Sequence, residues 1–187
     1  AFWCFSPSHS FIKFQDKQNR WYNIELTQGA VVTDDFYMNS GFIKSKAIQT
    51  GIYLNPRTMK QTIAHMLNDL SAYYISRYGY DHFIEENSNL VLRYSPSDLT
   101  AYQHYANICT VQAQYVIDAC GRPPKEQLPE YPQAHRLFKK MLQSHEKIDS
   151  LGYEEMPAEI YHNWLKQVDK AKTLPENQPS PIIQIKK

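Results

Sequence analysis

The sequence predicts an α+β protein, with a small antiparallel β remnant at the N-terminus and an α-helical region after it. In the first third of the chain, aromatic and β-branched residues alternate with polar ones, which is the period of β-strands. From Pro56 onward, apolar residues recur about every 3.6 positions, as in amphipathic helices. The 187 residues, 42% of them hydrophobic, suffice for one domain or two small ones.

The two predicted strands are residues 9–15 (HSFIKFQ) and residues 20–26 (RWYNIEL). The connector that follows contains two short segments that favour helical turns, TDD at 33–35 and SKAIQT at 45–50. The adjacent Asp34 and Asp35 also suggest a metal site, but acidic residues at the start of a helix more often serve as caps.

Five helices are predicted from apolar periodicity and from stop signals at glycine or proline. The first carries an apolar stripe from Met59 to Tyr78 and ends at Gly79, and the third is capped by Ser97 or Asp98. The five segments are 57–79, 80–94, 97–120, 133–152 and 157–172, with a proline-rich link at 122–132. The predicted domains are a β region at 1–55, a helical region at 56–174 and a loose tail at 175–187.

Composition and motifs restrict the function classes. The net charge of +1 gives no global case for nucleic acid or an anionic membrane, and no apolar run is long enough to span a bilayer. We expect no metal or cofactor, because no phosphate loop is present and the three cysteines fit neither a zinc site nor a disulfide framework. His65, His82 and His104 share no metal-ligand spacing and are expected to be core or surface residues. Three cysteines suit a cytosolic protein and are also compatible with an exported one, so the cellular compartment is not predicted.

The helical region contains a repeat-like spacing. Gly79 and Pro96 are separated by 17 positions, and aromatic and small residues recur at Tyr102, Tyr105 and Ala106. This spacing resembles the tetratricopeptide repeat over residues 65–119, although Ile84 and Ser88 depart from its usual residues. The resemblance implies a repeat-like helical hairpin with one following helix. An ordinary helical bundle remains the alternative, because a free-standing array needs about three repeats.

The two strands bring a histidine and a carboxylate together. A turn within residues 16–18 would place His9 opposite Glu25, Phe11 opposite Asn23 and Lys13 opposite Trp21, all on one face of the hairpin. A carboxylate that accepts a hydrogen bond from one imidazole nitrogen fixes the tautomer, so the other nitrogen can exchange a proton with a nucleophile. The alternative is an exposed cross-strand polar pair with no chemical role.

The residues of this hairpin resemble a catalytic motif. His9-Ser10-Phe11, followed by Trp21, Glu25 and Thr27, is similar to the second half of the transglutaminase-like core in the papain-like-fold superfamily, with glutamate where aspartate is usual. A helical tail of this kind resembles a bacterial branch of the family. The resemblance implies that His9 is the catalytic histidine, that Glu25 orients it, and that a thiolate performs acyl transfer or amide hydrolysis on a protein or peptide.

The family's mechanism requires a nucleophilic cysteine, and the three cysteines of this chain are the candidates within it. Cys4 is expected on the strand of His9 or its lead-in, about 16 Å away in extended chain, and Cys109 and Cys120 fall in or beside helices. We therefore expect the cysteine upstream of Ala1 and this chain to be the C-terminal part of such a protein. Two alternatives stay open: a pseudoenzyme, and a non-enzymatic scaffold that binds peptides through its helical surface.

Overall fold

The computed structural model describes residues 1–27 and 29–162. They form two compact units, one of residues 1–57 together with residues 153–162, and one of Thr58–Gly152. A four-stranded antiparallel sheet precedes a series of helices, which confirms the α+β class. The first of these units ends at Arg57, and the predicted division into a β region and a helical region after residue 55 stays a prediction.

The sheet is a meander in which each strand pairs with the next in chain order. Its strands are β1 (Phe2–Ser6), β2 (His9–Gln15), β3 (Trp21–Glu25) and β4 (Ala30–Val32). The sequence predicted only the two middle strands. The FWCF run of β1 does not alternate between apolar and polar residues, and β4 has only three residues, so neither shows the period of a half-buried strand.

The hairpin of β2 and β3 has the predicted face but not the predicted register. Lys13 lies opposite Asn23, and Gln15 lies opposite Trp21, so the pairing is shifted by two residues from the expected one. The turn is centred later because Asn19 adopts a left-handed φ of 62° and the Asp16 amide donates to the carbonyl of Arg20. A shift of two residues leaves every side chain on its expected face, because strands alternate with period two.

Two short helices follow the sheet, α1 (Asp34–Ser40) and α2 (Ser45–Gln49), and both fall where the connector was predicted to turn. Tyr37 of α1 stacks on Phe11 of β2 with ring centroids 4.0 Å apart, and both side chains are almost fully buried. The chain then returns to the edge of the sheet, where the Leu54 amide donates to the Phe5 carbonyl. This packing places α1 beside the face of the sheet that carries Glu25.

The second unit consists of consecutive helices, each packed against the next along the chain. They are α3 (Met59–Tyr78), α4 (His82–Tyr94), α5 (Leu99–Ala119) and α6 (Pro132–Ser150), with a 3-10 helix (Lys125–Glu130) before α6. The first four predicted helices are thus confirmed. Of the fifth, residues 158–162 are helical, and its residues after 162 lie outside the described part of the chain, as does the predicted tail.

The apolar stripe of α3 is not its packed face. Met59 and Met66 are 74% and 55% exposed, whereas the buried residues of the helix are small or polar, among them Asn68 and Ser71. The Asn87 amide of α4 donates to Ser71 and to the Leu67 carbonyl, so hydrogen bonds join these two helices. The tetratricopeptide resemblance stays a prediction, although its departing residues Ile84 and Ser88 are both buried in this helical unit.

Asp98 caps α5 and is completely buried. Its carboxylate accepts the Ala101 amide at 3.2 Å and the Asn68 side-chain amide at 3.0 Å, and it lies 2.7 Å from Nδ1 of His65. Asp81 has the same position at the start of α4, but it is exposed, and it accepts the Phe83 amide and the Tyr74 hydroxyl. The two caps therefore differ mainly in burial and in the number of buried partners.

Replacing Asp98 with alanine is expected to lower the free energy of unfolding by about 3 kcal/mol, because several buried donors lose their acceptor. Asp81→Ala, the matched exposed cap, should cost about 1 kcal/mol. Urea unfolding followed by far-ultraviolet circular dichroism compares the two. Equal losses would show that the buried contacts of Asp98 add nothing beyond ordinary capping.

Candidate functional site

His9 and Glu25 are in direct contact. Nε2 of His9, at the start of β2, lies 2.7 Å from Oε2 of Glu25, at the end of β3. In the observed register the two are diagonal neighbours, whose backbones are about 7–8 Å apart, within reach of long side chains. The predicted contact is confirmed, although by a diagonal and not a direct pairing, and the catalytic role of the two residues stays a prediction.

The Glu25 carboxylate is held by more than the histidine. Oε1 accepts hydrogen bonds from the backbone amide of Thr27, at 2.9 Å, and from its hydroxyl. Oε2, the oxygen that contacts His9, also accepts the phenol of Tyr37 at 2.9 Å. Because both oxygens are bonded and the residue is only 3% exposed, the carboxylate has a fixed position.

These hydrogen bonds set the charge of the site. Burial on its own raises the pKa of the Glu25 carboxyl, but the bonds from Thr27, Tyr37 and His9 outweigh it and lower the pKa to about 2. Burial, and then the neighbouring Glu25, raise the pKa of Tyr37, so its phenol stays protonated and acts as a donor. The site thus presents a permanent negative charge to the imidazole.

Glu25 and Tyr37 hold the His9 ring in place, and the ring is partly exposed to solvent. Its side chain is 32% exposed, and its ring centroid lies 5.9 Å from that of Tyr37 in a stacked arrangement. Nε2 is occupied by Glu25, while Nδ1 forms no hydrogen bond with any described residue. With a carboxylate on Nε2 and no described partner on Nδ1, the imidazole has one nitrogen available for proton exchange.

An ion pair beside the site, between the buried Lys13 and the partly exposed Asp34, anchors α1. The Lys13 ammonium is 2.8 Å from both carboxylate oxygens of Asp34 and donates to the Leu54 carbonyl, and the Asn23 amide also donates to Asp34. Asp34 therefore joins the helix to the sheet, one turn before Tyr37. Thr33, not an aspartate, occupies the cap position, and the described residues contain no cluster of metal-ligating side chains.

The position expected for Cys4 is wrong. The chain reverses at Pro7 and Ser8, so Cys4 lies on the neighbouring strand opposite Phe11, on the face that carries His9, and not 16 Å along the same strand. Cys4 is nevertheless 0% exposed, and burial raises the pKa of its thiol to about 12. A buried, protonated thiol is a poor nucleophile, so Cys4 is not suited to supply the thiolate.

The remaining cysteines belong to the helical unit. Cys109 is completely buried within α5, where burial raises the pKa of its thiol, and Cys120 follows the end of that helix. All three cysteines are free. The thiols of Cys4 and Cys109 are both buried and protonated, so neither has the exposed, low-pKa setting of a reactive thiol.

Among the features that the sequence did not predict are two side-chain contacts of buried carboxylates. The first is Tyr37, whose place next to Glu25 depends on how α1 packs on the sheet, and no local pattern encodes that. The second is the pair of His65 and Asp98, which are far apart in sequence. Ser97 or Asp98 was predicted to cap α5. No pattern in the sequence connects Asp98 with His65, which lies on α3.

Comparisons with known proteins do not assign this site. A scan against protein-family models found no match, and searches of curated proteins and of solved structures found no similar protein. Within the described ranges, no helix has both the length and the apolar character needed to cross a bilayer.

Glu25 should make the first unit sensitive to acid. Because its pKa falls from about 4.5 unfolded to about 2 folded, its contribution is complete above pH 4.5 and is lost as the pH falls towards 2. The loss is about 3 kcal/mol at about 1.4 kcal/mol per pKa unit. Glu25→Gln should remove this dependence, as measured by urea unfolding from pH 2 to 7 with tryptophan fluorescence.

Glu155→Gln is the matched control for this measurement, since it removes an exposed carboxylate from the same unit. It should leave the pH dependence unchanged. The interpretation of the Glu25 contacts would be wrong if the wild-type protein and Glu25→Gln lost stability in parallel below pH 4.5.

Proposed function

We propose that this chain is the C-terminal portion of a transglutaminase-like cysteine protein, in which His9 and Glu25 form the base and its orienting acid. The contact that supports the proposal most directly is the 2.7 Å bond from His9 to a carboxylate that Thr27 and Tyr37 also hold. The resemblance of residues 8–28 to the transglutaminase-like core motif also supports the proposal. The chemistry is acyl transfer or amide hydrolysis on a protein or peptide.

In this proposal the imidazole transfers protons between a thiol and a leaving amine. His9 takes the proton of a cysteine thiol as the thiolate attacks the substrate carbonyl, and it protonates the departing amine. Glu25 stabilises the imidazolium that forms between the two steps and keeps the ring oriented. The cysteine lies upstream of Ala1 in this proposal, because the thiols of Cys4 and Cys109 are buried and the family's nucleophile precedes its histidine, which Cys120 does not.

The glutamate in place of the usual aspartate is compatible with this role. His9 and Glu25 are diagonal neighbours, and the extra methylene lets the carboxylate reach across the diagonal while Thr27 binds its other oxygen. An aspartate at the same position would have a shorter reach. In the observed diagonal register, a glutamate at position 25 is therefore long enough to orient His9.

The decisive experiment uses the protein with its upstream sequence and follows amine incorporation into, and ammonia release from, a glutamine-containing protein substrate. Since general acid–base catalysis contributes about 10²–10⁴-fold, His9→Ala should lower kcat by at least about 100-fold. His82→Ala, which removes an exposed histidine on α4, should leave kcat unchanged. Equal activity of His9→Ala and wild type would exclude this role, and inactivity of the wild-type protein would favour a pseudoenzyme.

A non-enzymatic scaffold is the second candidate, and the exposed face of α3 favours it. Five apolar residues on this helix follow each other at alternating steps of four and three positions, which is the spacing of a coiled-coil seam. They are 49–74% exposed: Met59, Ile63, Met66, Leu70 and Tyr73. Such a row on a described surface is typical of a face that packs against a partner helix.

The scaffold hypothesis predicts that partner binding depends on this row. The double substitution Ile63→Glu and Leu70→Glu should keep the thermal midpoint within about 3 °C, because exposed positions tolerate charge, and should abolish cross-linking to a partner in extracts. Asp69→Lys, on an exposed position of the same helix outside the row, should retain it. Loss of cross-linking in both variants, or in neither, would contradict the hypothesis.

A further inference from the structure

A groove on the second unit combines a cation with aromatic walls. It lies between α4, α5 and α6 and has a volume of about 220 Å³. Tyr102 and Tyr105 of α5 and Leu92 of α4 form its apolar lining, and two lysines of α6 stand at its edge. The volume is below the ~300–1,000 Å³ typical of pockets for drug-sized ligands, so the groove suits a single amino-acid residue.

The two lysines differ in how their charge is balanced. The Lys140 ammonium donates to Glu85 at 2.8 Å, and its charge is therefore neutralised within the protein. Lys147 lies 5.5 Å from the ring of Tyr102 and forms no ion pair with any acidic residue that the structure describes. The groove thus has one uncompensated positive charge at its rim, which matches a monoanion such as a carboxylate better than a phosphate dianion.

The other polar groups indicate the body of the ligand. Side-chain amides of Asn89 and Gln143 line the groove, and neither is engaged by another described residue. An amide both donates and accepts hydrogen bonds, which matches the peptide group. Beside them, Tyr102 and Leu92 offer an apolar surface to an aliphatic stem.

We propose that this groove binds one carboxylate-bearing residue of a peptide, with the carboxylate at Lys147, the aliphatic part against Tyr102 and Leu92, and the peptide group at Asn89 and Gln143. The carboxylate belongs either to the C-terminus of the peptide or to an acidic side chain. The site is formed by α4, α5 and α6 alone, so it is independent of the proposed chemistry at His9.

The test titrates the full chain with three small probes and follows backbone amide resonances. N-acetyl-leucine carries a terminal carboxylate, N-acetyl-glutamic acid α-amide carries a side-chain carboxylate, and N-acetyl-leucinamide is neutral. We expect at least one acid to bind with millimolar affinity and to shift the resonances of Leu92, Tyr102 and Lys147. The neutral probe should bind at least about fivefold more weakly, because it lacks the ion pair.

Lys147→Gln should weaken binding of the acid by about fivefold, while Lys139→Gln, which removes an exposed lysine of the same helix outside the groove, should change it less than twofold. Which acid binds identifies the source of the carboxylate, and binding of either supports the proposal. Equal affinity for the neutral probe, equal effects of the two lysine variants, or no shifts at the groove up to about 10 mM probe would overturn it.

Discussion

The carboxylate of Glu25 connects the separate parts of the first unit. It contacts His9 of β2 and accepts hydrogen bonds from Thr27, in the loop after β3, and from Tyr37 of α1. A buried carboxylate without donors is costly, and its pKa would rise. In Glu25 the hydrogen-bond donors lower the pKa by more than burial raises it, so the buried carboxylate stays charged. Because this charge is bound by residues of β2, the loop after β3 and α1, it fixes these three elements relative to each other.

The second unit uses a buried carboxylate in a related way. Asp98 is fully buried, caps α5 and contacts Asn68 and His65 of α3. The similarity to Glu25 is chemical only, because Asp98 has an evident structural task at the start of a helix. A histidine beside a buried carboxylate therefore does not by itself identify a catalytic site. The side chain of His9 is more accessible than that of His65, at 32% against 20% exposed.

The sequence predicted the structure best where local patterns decide it. Strand alternation placed His9 and Glu25 on one face, and stop signals such as Gly79 and a cap such as Asp98 marked the ends of the helices. The hairpin register was wrong by two residues because Asn19 extends the turn, a preference that alternation does not contain. Contacts between distant segments, such as that of Tyr37 with Glu25, depend on how α1 packs and could not be predicted from local pattern.

The distribution of the free thiols has a practical consequence for following the opening of this protein. Cys4 lies in the sheet and Cys109 in α5, and both are completely buried, so each unit contains one protected thiol. A thiol reagent reaches such a group only after the surrounding structure opens. Alkylation rates at the two cysteines, separated by peptide mapping, would report the opening free energy of each unit without any introduced cysteine.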